Sequence, residues 1–282
     1  MPELPEVETV RQSLRLKVRN RIISSVEIYY DGIIEYPSVK EFCTNIKGQR
    51  INDIDRYGKW LIFVLDDYYL LSHLRMEGKY FIKPKDEPLN KHDHVIFELD
   101  TNEELRYNDT RKFGKMHLVK KDELYKSPIS KLGLEPWDKE LTISYLKDKL
   151  NTKKPIKSLL LDQSIITGIG NIYADEILFS SRIHPEIEGN KLTNKNLQDI
   201  IDNTRTILSK AIELGGTTIH TYTSVNGITG LFQQELLVHG KKDMPCPICK
   251  TKIIKTTVGT RGTYYCPHCQ SVIQCLVFYG TF

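Results

Sequence analysis

Two pairs of cysteines near the end of the sequence constrain the fold more than any other feature. They form the pattern C-x2-C-x16-C-x2-C, the ligand spacing of a four-cysteine zinc ribbon, at Cys246, Cys249, Cys266 and Cys269. Four thiolates close the coordination shell, so we expect one structural Zn²⁺ per chain. A ribbon this small needs the metal in order to fold. A redox dithiol is the weaker alternative, because two matched pairs are present.

The predicted ribbon carries an excess of positive charge. Between residues 241 and 261 a single acid, Asp243, stands against six cations: Lys241, Lys242, Lys250, Lys252, Lys255 and Arg261. Such a surface suits a polyanion such as DNA. A solvated basic face on a purely structural ribbon is the simpler alternative.

Length and composition indicate a soluble protein of more than one domain. The chain has 282 residues and a net charge of +4, and single hydrophobic cores rarely grow beyond about 250–300 residues. No apolar run approaches the ~20 residues that span a membrane, and the start, MPELPEVETVRQ, lacks the pattern of a signal peptide. We therefore expect a cytoplasmic protein with no membrane partner. The two other cysteines, Cys43 and Cys275, are expected to be ordinary buried thiols.

The hydrophobic pattern divides the chain into a strand-rich part and a helical part. Residues 2–19 place apolar side chains at helical spacing, and from about 22 to 120 short β-branched and aromatic runs alternate with turn residues. Helical periodicity returns after residue 132. We predict an α+β fold with three domains: an N-terminal β-sandwich with an N-terminal helix (1–131), a helical domain (132–239) and a C-terminal zinc ribbon of two small hairpins (240–282).

The connection ITGIGNIYADE between two apolar helices is a candidate phosphate site. Gly168 and Gly170 permit a tight turn, and Asn171 is suited to cap a helix that begins at Ile172. A helix start offers backbone N–H groups to an anion, and Lys157 on the preceding helix would add charge. The pattern is also typical of ordinary connections between helices, and it lacks the features of a P-loop or a dinucleotide fold.

Taken together, these residues resemble the formamidopyrimidine-DNA glycosylase family, also called MutM. The resemblance covers essentially the whole chain, in the family's order, through PELPEVETVR, RYGKWL, SHLRMEGKY, KHDHV, NDTRKFG, LLDQSIITGIGNIYADE, GGTTI, FQQELLVHG and TRGTYYCPHCQ. It implies an N-terminal β-sandwich, a helical domain with a helix-two-turns-helix element, and a zinc ribbon. These expectations agree with the hydrophobic pattern.

The resemblance implies that Met1 is removed and that the exposed imino nitrogen of Pro2 is the catalytic nucleophile. An α-amino group titrates near ~8 and a lysine near ~10.4, so at pH 7.5 roughly a quarter of the former is neutral. Attack on the sugar C1′ would expel the base and leave an iminium, which acts as an electron sink for β,δ-elimination.

The resemblance also implies roles for acids and cations near this nucleophile. Glu3 would protonate the sugar ring oxygen and assist proton transfers, and Glu6 would position the amine. Lys59 and Arg261 complete the implied catalytic set. Without the family, acids at a helix start are usually caps or dipole partners, and we keep that interpretation for Glu8.

A glycosylase must take its target base out of the stack and fill the gap. By resemblance Met76 fills the vacated space, Arg111 bonds the orphaned cytosine, and Phe113 wedges between base pairs. Glu77 is a candidate contact to the flipped base. The alternatives are core packing for Met76 and Phe113, a single strand over LRMEGKYF, and a solvated side chain for Glu77.

Further residues are predicted to contact DNA phosphates, which supply most of the affinity of such proteins. The alternatives are a surface cation for each basic residue, helix packing for the tyrosine and a satisfied sheet residue for the histidine. The predicted contacts are Lys59, His73, Asn171, Tyr173 and Arg261, with Lys157 as an additional candidate.

The chain departs from the family pattern at three positions. His220 replaces a usual arginine and Asn226 a common aspartate, both within the segment that matches the family's loop over the lesion, GGTTIHTYTSVNGITG. His239 replaces a usual tyrosine. These changes leave the chemistry intact and put the lesion-loop contacts in question.

The sequence therefore predicts a bifunctional DNA glycosylase and AP lyase of base excision repair. Its expected partner is damaged double-stranded DNA, its expected substrates are 8-oxoguanine and formamidopyrimidines, and we expect a bacterial, nucleoid-associated monomer. An endonuclease VIII-like enzyme that prefers oxidised pyrimidines is the nearest alternative. A zinc-ribbon protein that binds DNA without catalysis is the second.

Overall fold

The computed structural model describes residues 1–217 and 230–271, and the chain divides into two compact units. The first unit comprises Met1–Lys131 with Gly215–Leu231, and the second comprises Leu132–Leu214 with Phe232–Phe282. This division differs from the predicted domains, because the segment after residue 214 joins the first unit and the ribbon joins the helical unit. The three-domain division stays a prediction.

The first unit is a β-sandwich preceded by helix α1 (Leu4–Val18). One sheet has the strand order β1-β7-β8-β6 and the other β2-β9-β5-β4-β3. All pairs are antiparallel except β2 with β9. The strands are β1 (Ile23–Ile28), β2 (Ile34–Tyr36), β3 (Asp53–Tyr57), β4 (Trp60–Val64), β5 (Tyr68–His73), β6 (Lys79–Pro84), β7 (Asp93–Leu99), β8 (Glu103–Asn108) and β9 (Lys115–Lys120).

Helix α1 buries the apolar face that its sequence predicts. The apolar side chains of that face are fully buried, four of them within the sandwich core, and burial of each contributes about 1.5–3 kcal/mol. Pro5 is tolerated at the helix start, where its missing N–H is not needed. The helix therefore fixes the start of the chain against the first unit. The buried residues of this face are Leu4, Val7, Val10, Leu14 and Val18.

Helix α2 (Val39–Ile46), which the strand-rich pattern did not predict, lies between β2 and β3. The sequence carries a signal for α2, because Ser38 and Glu41 form a capping box. The Glu41 carboxylate accepts the backbone N–H of Ser38 at 3.3 Å, and the Ser38 hydroxyl oxygen accepts the backbone N–H of Glu41 at 3.4 Å. Cys43 on this helix is half-exposed, so the prediction of a buried thiol there is wrong. Cys275 lies outside the described residues.

The second unit contains helices α3 (Ile143–Lys149), α4 (Ile156–Leu160), α5 (Asn171–Ser180) and α6 (Asn194–Glu213). Helices α4 and α5, with the turns between them, form the predicted helix-two-turns-helix element. The ribbon has one two-stranded sheet, β10 (Ile254–Val258) with β11 (Arg261–Tyr265). Around the first cysteine pair there is only an isolated bridge, Pro245 with Lys252, rather than a second complete hairpin. Within the described ranges, none of the helices is long and apolar enough to cross a membrane.

Candidate active site and nucleic-acid interface

The start of the chain is held by the first turn of α1. Pro2 and Glu3 are buried, and Glu3 immediately precedes the helix. The carboxylate of Glu6 accepts the backbone N–H of Glu3 at 2.9 Å. Glu6 therefore fixes the residue next to Pro2 through a backbone contact.

Charged groups from three segments surround the terminal amine. Burial lowers the pKa of the Met1 amine, and the positive charge of Lys59 lowers it further. Glu3, Glu6 and Glu77 act in the opposite direction and raise this pKa. The structure thus brings together Pro2 and four of the side chains that the sequence predicts for its site. An amine in this place has a larger neutral, nucleophilic fraction than one in water.

Glu6 also connects the chain start with the beginning of the predicted lesion loop. Its carboxylate accepts the backbone N–H of Thr217 at 2.7 Å and the Thr217 hydroxyl at 3.1 Å. Gly216 has a φ of 77°, and a Cβ there would lie 2.7 Å from the Glu6 side chain. Only glycine fits this close approach. His220 and Asn226 lie outside the described residues.

Lys59 and His73 lie close to each other at one end of the five-stranded sheet, Lys59 in a turn and His73 at the end of β5. Lys59 is in the turn between β3 and β4, and Trp60 pairs with His73 across β4 and β5. Lys59 is 5% exposed and His73 8%, so the surface-cation alternative for Lys59 is wrong. Burial, with the charges of Arg75 and Lys59, lowers the pKa of His73 to about 3. His73 is therefore a neutral imidazole, and its Nδ1 accepts the Arg75 N–H at 3.0 Å.

The buried neutral state of His73 should make the stability of the protein depend on pH. An unfolded histidine titrates near ~6.5, so below that pH the unfolded chain binds a proton that the folded chain does not. Stability is complete above pH ~6.5 and is lost as the pH falls towards 3, by about 1.4 kcal/mol per pH unit. Between pH 7.5 and 5.0, urea unfolding of the wild type should lose about 2 kcal/mol more than His73→Gln.

The half-exposed His92 provides the control for this experiment. His92→Gln should keep the pH dependence of the wild type. An identical loss of stability in His73→Gln and the wild type would contradict a neutral buried His73.

The loop 109–114 presents Arg111 and Phe113 to solvent. Phe113 is 50% exposed, and the Arg111 guanidinium lies 4.9 Å from its ring centroid. Buried Asp109 shapes the loop, because its carboxylate accepts the backbone N–H of Arg111 at 2.9 Å, of Phe113 at 3.0 Å and of Gly114 at 2.8 Å. The core-packing alternative for Phe113 is therefore wrong.

Met76 and Glu77 lie on a half-exposed turn between β5 and β6 rather than on a strand. The hydroxyl of Tyr107 occupies the space between this turn and the loop 109–114. A Cβ on Gly78 would lie 2.3 Å from that hydroxyl, and one on Gly114 1.7 Å. Neither Tyr107 nor Asp109 was predicted from the sequence to be a functional residue. The tendency of aspartate to bond the backbone two residues ahead could have indicated Asp109.

Lys157 is fully buried, so the prediction that it contacts a DNA phosphate is wrong. Its Nζ pairs with the carboxylate of Asp175 and donates to the carbonyl oxygen of Gly262 at 3.3 Å. Asp175 also accepts a hydrogen bond from Nδ1 of His239 at 2.6 Å. Lys157 therefore links α4, α5 and β11 inside the second unit. No local pattern in the sequence predicts this ion network.

The start of α5 differs from the predicted capping arrangement. The helix begins at Asn171 rather than Ile172, with Gly170 in the N-cap position. The side-chain oxygen of Asn171 has no hydrogen-bond partner among the described residues, and the side-chain nitrogen donates to the Gly262 carbonyl at 3.0 Å. Arg261 is the residue before Gly262 and is exposed. Two predicted phosphate contacts, Asn171 and Arg261, therefore lie close together.

The structure supports the alternative interpretation of Tyr173 as a helix packing residue. Its side chain is fully buried, with its ring centroid 5.6 Å from that of Phe232. The contact of Tyr173 with a phosphate stays a prediction, which the burial of its side chain does not support.

The four paired cysteines converge on one point in the second unit. Their Sγ atoms all lie within 4.8 Å of one another, and two of the separations are 3.9 Å and 3.4 Å. A tetrahedral zinc ion with Zn–S bonds of about 2.3 Å requires Sγ separations of about 3.8 Å. The donor set therefore fits one zinc ion, with no place left for a catalytic water. The ligands are Cys246, Cys249, Cys266 and Cys269.

A β-sandwich with a buried chain start, a helix-two-turns-helix element and a four-cysteine ribbon define a class of zinc-containing DNA glycosylases. Three family models match this chain: the formamidopyrimidine-DNA glycosylase N-terminal domain over residues 1–116, the H2TH domain of the same enzyme over 132–223, and the zinc finger found in FPG and IleRS over 245–272. The chain belongs to the formamidopyrimidine-DNA glycosylase family.

Individual relatives match over nearly the full length. The formamidopyrimidine-DNA glycosylase of Oceanobacillus iheyensis is 46% identical over 273 residues, which is 96% of this chain and 98% of the relative. A Lactococcus lactis Fpg variant in complex with Fapy-dG-containing DNA has a TM-score of 0.91 at 40% identity, covering 96% of this chain and 100% of that one. Wild-type L. lactis Fpg with DNA containing an oxidised pyrimidine has a TM-score of 0.89, with the same identity and coverage.

Proposed function

We propose that this chain excises oxidised purines from duplex DNA and then cuts the backbone at the resulting abasic site, with Pro2 as the nucleophile. The observation that carries the proposal is the position of the chain start. It is buried beside three carboxylates and one lysine, and this environment lowers the pKa of the terminal amine. Removal of Met1 places the imino nitrogen of Pro2 in this environment.

In the first step, the Pro2 nitrogen replaces the damaged base at C1′. The lone pair of the Pro2 nitrogen attacks C1′ of the damaged nucleotide, the bond from C1′ to the base nitrogen breaks, and the base leaves with its electron pair and a proton. Glu3 protonates the sugar ring oxygen O4′ as the ring opens. The product is an iminium between Pro2 and C1′, which carries a fixed positive charge because the amine is secondary.

The second step uses this charge to cut the strand. Loss of a proton from C2′ sends its electron pair into the iminium and breaks the bond from C3′ to its phosphate oxygen. A second elimination breaks the bond from C5′ to its phosphate oxygen, and water releases the sugar remnant from Pro2. A one-nucleotide gap with phosphates at both ends remains.

The two loops that Tyr107 separates are suited to open the duplex. Phe113 is an exposed aromatic on a loop whose backbone is fixed by Asp109, so it can enter a base step without rearrangement. Arg111, beside it, has the planar donors needed to bond an orphaned cytosine. Met76 supplies a flexible apolar side chain for the vacated space.

Four of the predicted phosphate contacts stay in the proposal. Lys59 and Arg261 supply positive charge, and His73 supplies a neutral N–H donor from Nε2, because its Nδ1 is an acceptor. Asn171 lies at the start of α5, where helix N–H groups and the positive dipole end favour an anion. The substrate is damaged double-stranded DNA, bound by one chain.

Excision from two duplexes measured side by side tests the substrate class. We expect single-turnover excision of 8-oxoguanine opposite cytosine to be at least about tenfold faster than excision of thymine glycol, a difference of about 1.4 kcal/mol in transition-state binding. The comparison of a purine with a pyrimidine lesion is informative because a close structural relative was crystallised with an oxidised pyrimidine. A clear preference for thymine glycol would identify an endonuclease VIII-like specificity instead.

The cellular location follows from the proposed substrate. The matched relatives are bacterial, and we propose that this chain acts in the cytoplasm on the nucleoid.

A further inference from the structure

Glu8 on α1 is the centre of a partly buried ion network that the proposed chemistry does not use. Its carboxylate accepts hydrogen bonds from Nη2 of Arg11 at 2.6 Å, from Nε2 of Gln12 at 2.9 Å and from Nε of Arg56 at 3.1 Å. The Glu8 side chain is 12% exposed and that of Arg56 9%. Burial alone would raise the pKa of Glu8, but these hydrogen bonds outweigh it and lower the pKa.

This arrangement replaces the interpretation of Glu8 as a helix cap or dipole partner. The acid in the first turn of α1 is Glu6, and Glu8 lies beyond that turn, where the dipole has little effect. Its ion pair with Arg56 instead connects the helix to strand β3.

Arg56 also contacts the turn that carries Lys59. Its Nη1 donates to the carbonyl oxygen of Gly58 at 3.1 Å. Tyr57 pairs with Trp60 at the end of the hairpin, so Gly58 and Lys59 are the two residues of the turn itself. A guanidinium held on one side by Glu8 and bonded on the other to Gly58 restrains the backbone from which Lys59 extends.

We propose that Glu8 and Arg56 are positioning residues that hold Lys59 beside the reactive terminus of the chain. The inference rests on the proposed function, because it assigns the network a role in the reactivity of Pro2. It adds two residues that act on the reactive terminus through Lys59. Their effect is transmitted through the Gly58–Lys59 turn.

The sign of the electrostatic effect makes this proposal testable. The terminal amine is faced by Glu3 and Glu6 from α1, by Glu77 from the turn before β6 and by Lys59 from the turn between β3 and β4. Lys59 is the cation that lowers the pKa of the amine. If the turn is released and Lys59 moves away, that pKa rises. Removal of the negative charge of Glu8 would by itself act in the opposite direction and lower it.

The experiment is the pH profile of the single-turnover rate of Glu8→Gln, measured by borohydride trapping and strand cleavage on an abasic duplex. We expect the apparent pKa of the acidic limb to rise by about 0.5–1 unit, so that the rate on the acidic side falls about three- to tenfold and the alkaline plateau is kept. Lys59→Met, which removes the cation directly, should also raise the apparent pKa of the acidic limb.

A second ion pair between the same helix and the same strand provides the matched control. Arg15 on α1 donates to Asp53 at the start of β3 through Nε at 2.6 Å and Nη2 at 3.0 Å. Asp53→Asn breaks this pair without touching the turn, so its acidic limb should stay at the wild-type position. Arg56→Lys is the second test variant, because it keeps the charge on β3 but lacks the second donor arm for Gly58. Arg56→Lys should also raise the apparent pKa of the acidic limb.

The outcomes separate this inference from the proposed function. The positioning role is wrong, and the nucleophile assignment stands, if the wild type traps DNA but Glu8→Gln and Arg56→Lys keep or lower the apparent pKa of the acidic limb. If the wild type itself forms no trapped adduct, the proposed function fails. Should Glu8→Gln not fold, Arg56→Lys alone decides between an upward shift and none.

Discussion

A protein that carries a tag ahead of Pro2 is expected to lose borohydride trapping and strand cleavage by at least about 10³-fold. The reason is chemical: within the chain the proline nitrogen is an amide whose lone pair is delocalised, so it cannot attack C1′. The measurement is the yield of covalent adduct with an oligonucleotide that contains 8-oxoguanine.

The same tag at the other end of the chain is the control. The protein with the C-terminal tag should trap DNA as the untagged protein does, and its intact mass should show the loss of Met1. Both tagged proteins should bind lesion-free duplex alike. Full strand cleavage by the blocked protein would mean that another amine is the nucleophile. Binding without any adduct in the unblocked protein would favour a non-catalytic DNA-binding protein.

The chain start could be predicted from the sequence because its functional residues are close neighbours. Helix α1 has a regular apolar face. Glu3 is its N-cap residue and Glu6 lies in its first turn, a spacing that places both beside Pro2. Local rules of helix geometry therefore bring the nucleophile and its acids together. The cysteine spacing was informative for a similar reason, since two short turns supply all four ligands.

Residues whose role depends on distant partners could not be assigned in this way. Lys157 has the appearance of a surface cation on a short helix, and only the folded second unit buries it against Asp175. Glu8 similarly meets Arg56 across 48 positions of sequence. A single charged residue in a sequence is most often solvated. Solvent exposure is therefore the correct prediction for most such residues, but it is wrong for Lys157 and Glu8. Tertiary contacts decide their burial.

The loop that carries Arg111 and Phe113 lies between these cases. The resemblance indicated both side chains, but neither periodicity nor composition separates an exposed wedge from a core phenylalanine. The deciding feature is Asp109, whose carboxylate accepts three backbone N–H groups and turns the chain outwards. Such a network is visible only when the strands before and after the loop are in place.

Removal of the zinc ion is expected to unfold the ribbon and weaken DNA binding about ten- to a hundredfold. The small core around the metal contains few apolar side chains besides the cysteines themselves: Phe179, Val238 and Ile253 are its other buried members. Structural zinc contributes about 10–16 kcal/mol to such modules, more than this core can replace. Without the hairpin β10–β11, Arg261 loses its fixed position, and a lost charge-assisted phosphate contact costs about 1.5–3 kcal/mol.

The test is Cys246→Ala, with Cys43→Ala as the matched control on a half-exposed cysteine outside the metal site. Zinc content, measured by mass spectrometry, should fall in the first variant and stay at one ion per chain in the second, and DNA affinity should follow the zinc. The sandwich has a separate core that contains none of the four ligands, so its thermal unfolding should persist in Cys246→Ala. Wild-type DNA affinity in a zinc-free protein would contradict a ribbon that positions Arg261, and a simultaneous collapse of the sandwich would contradict its independent stability.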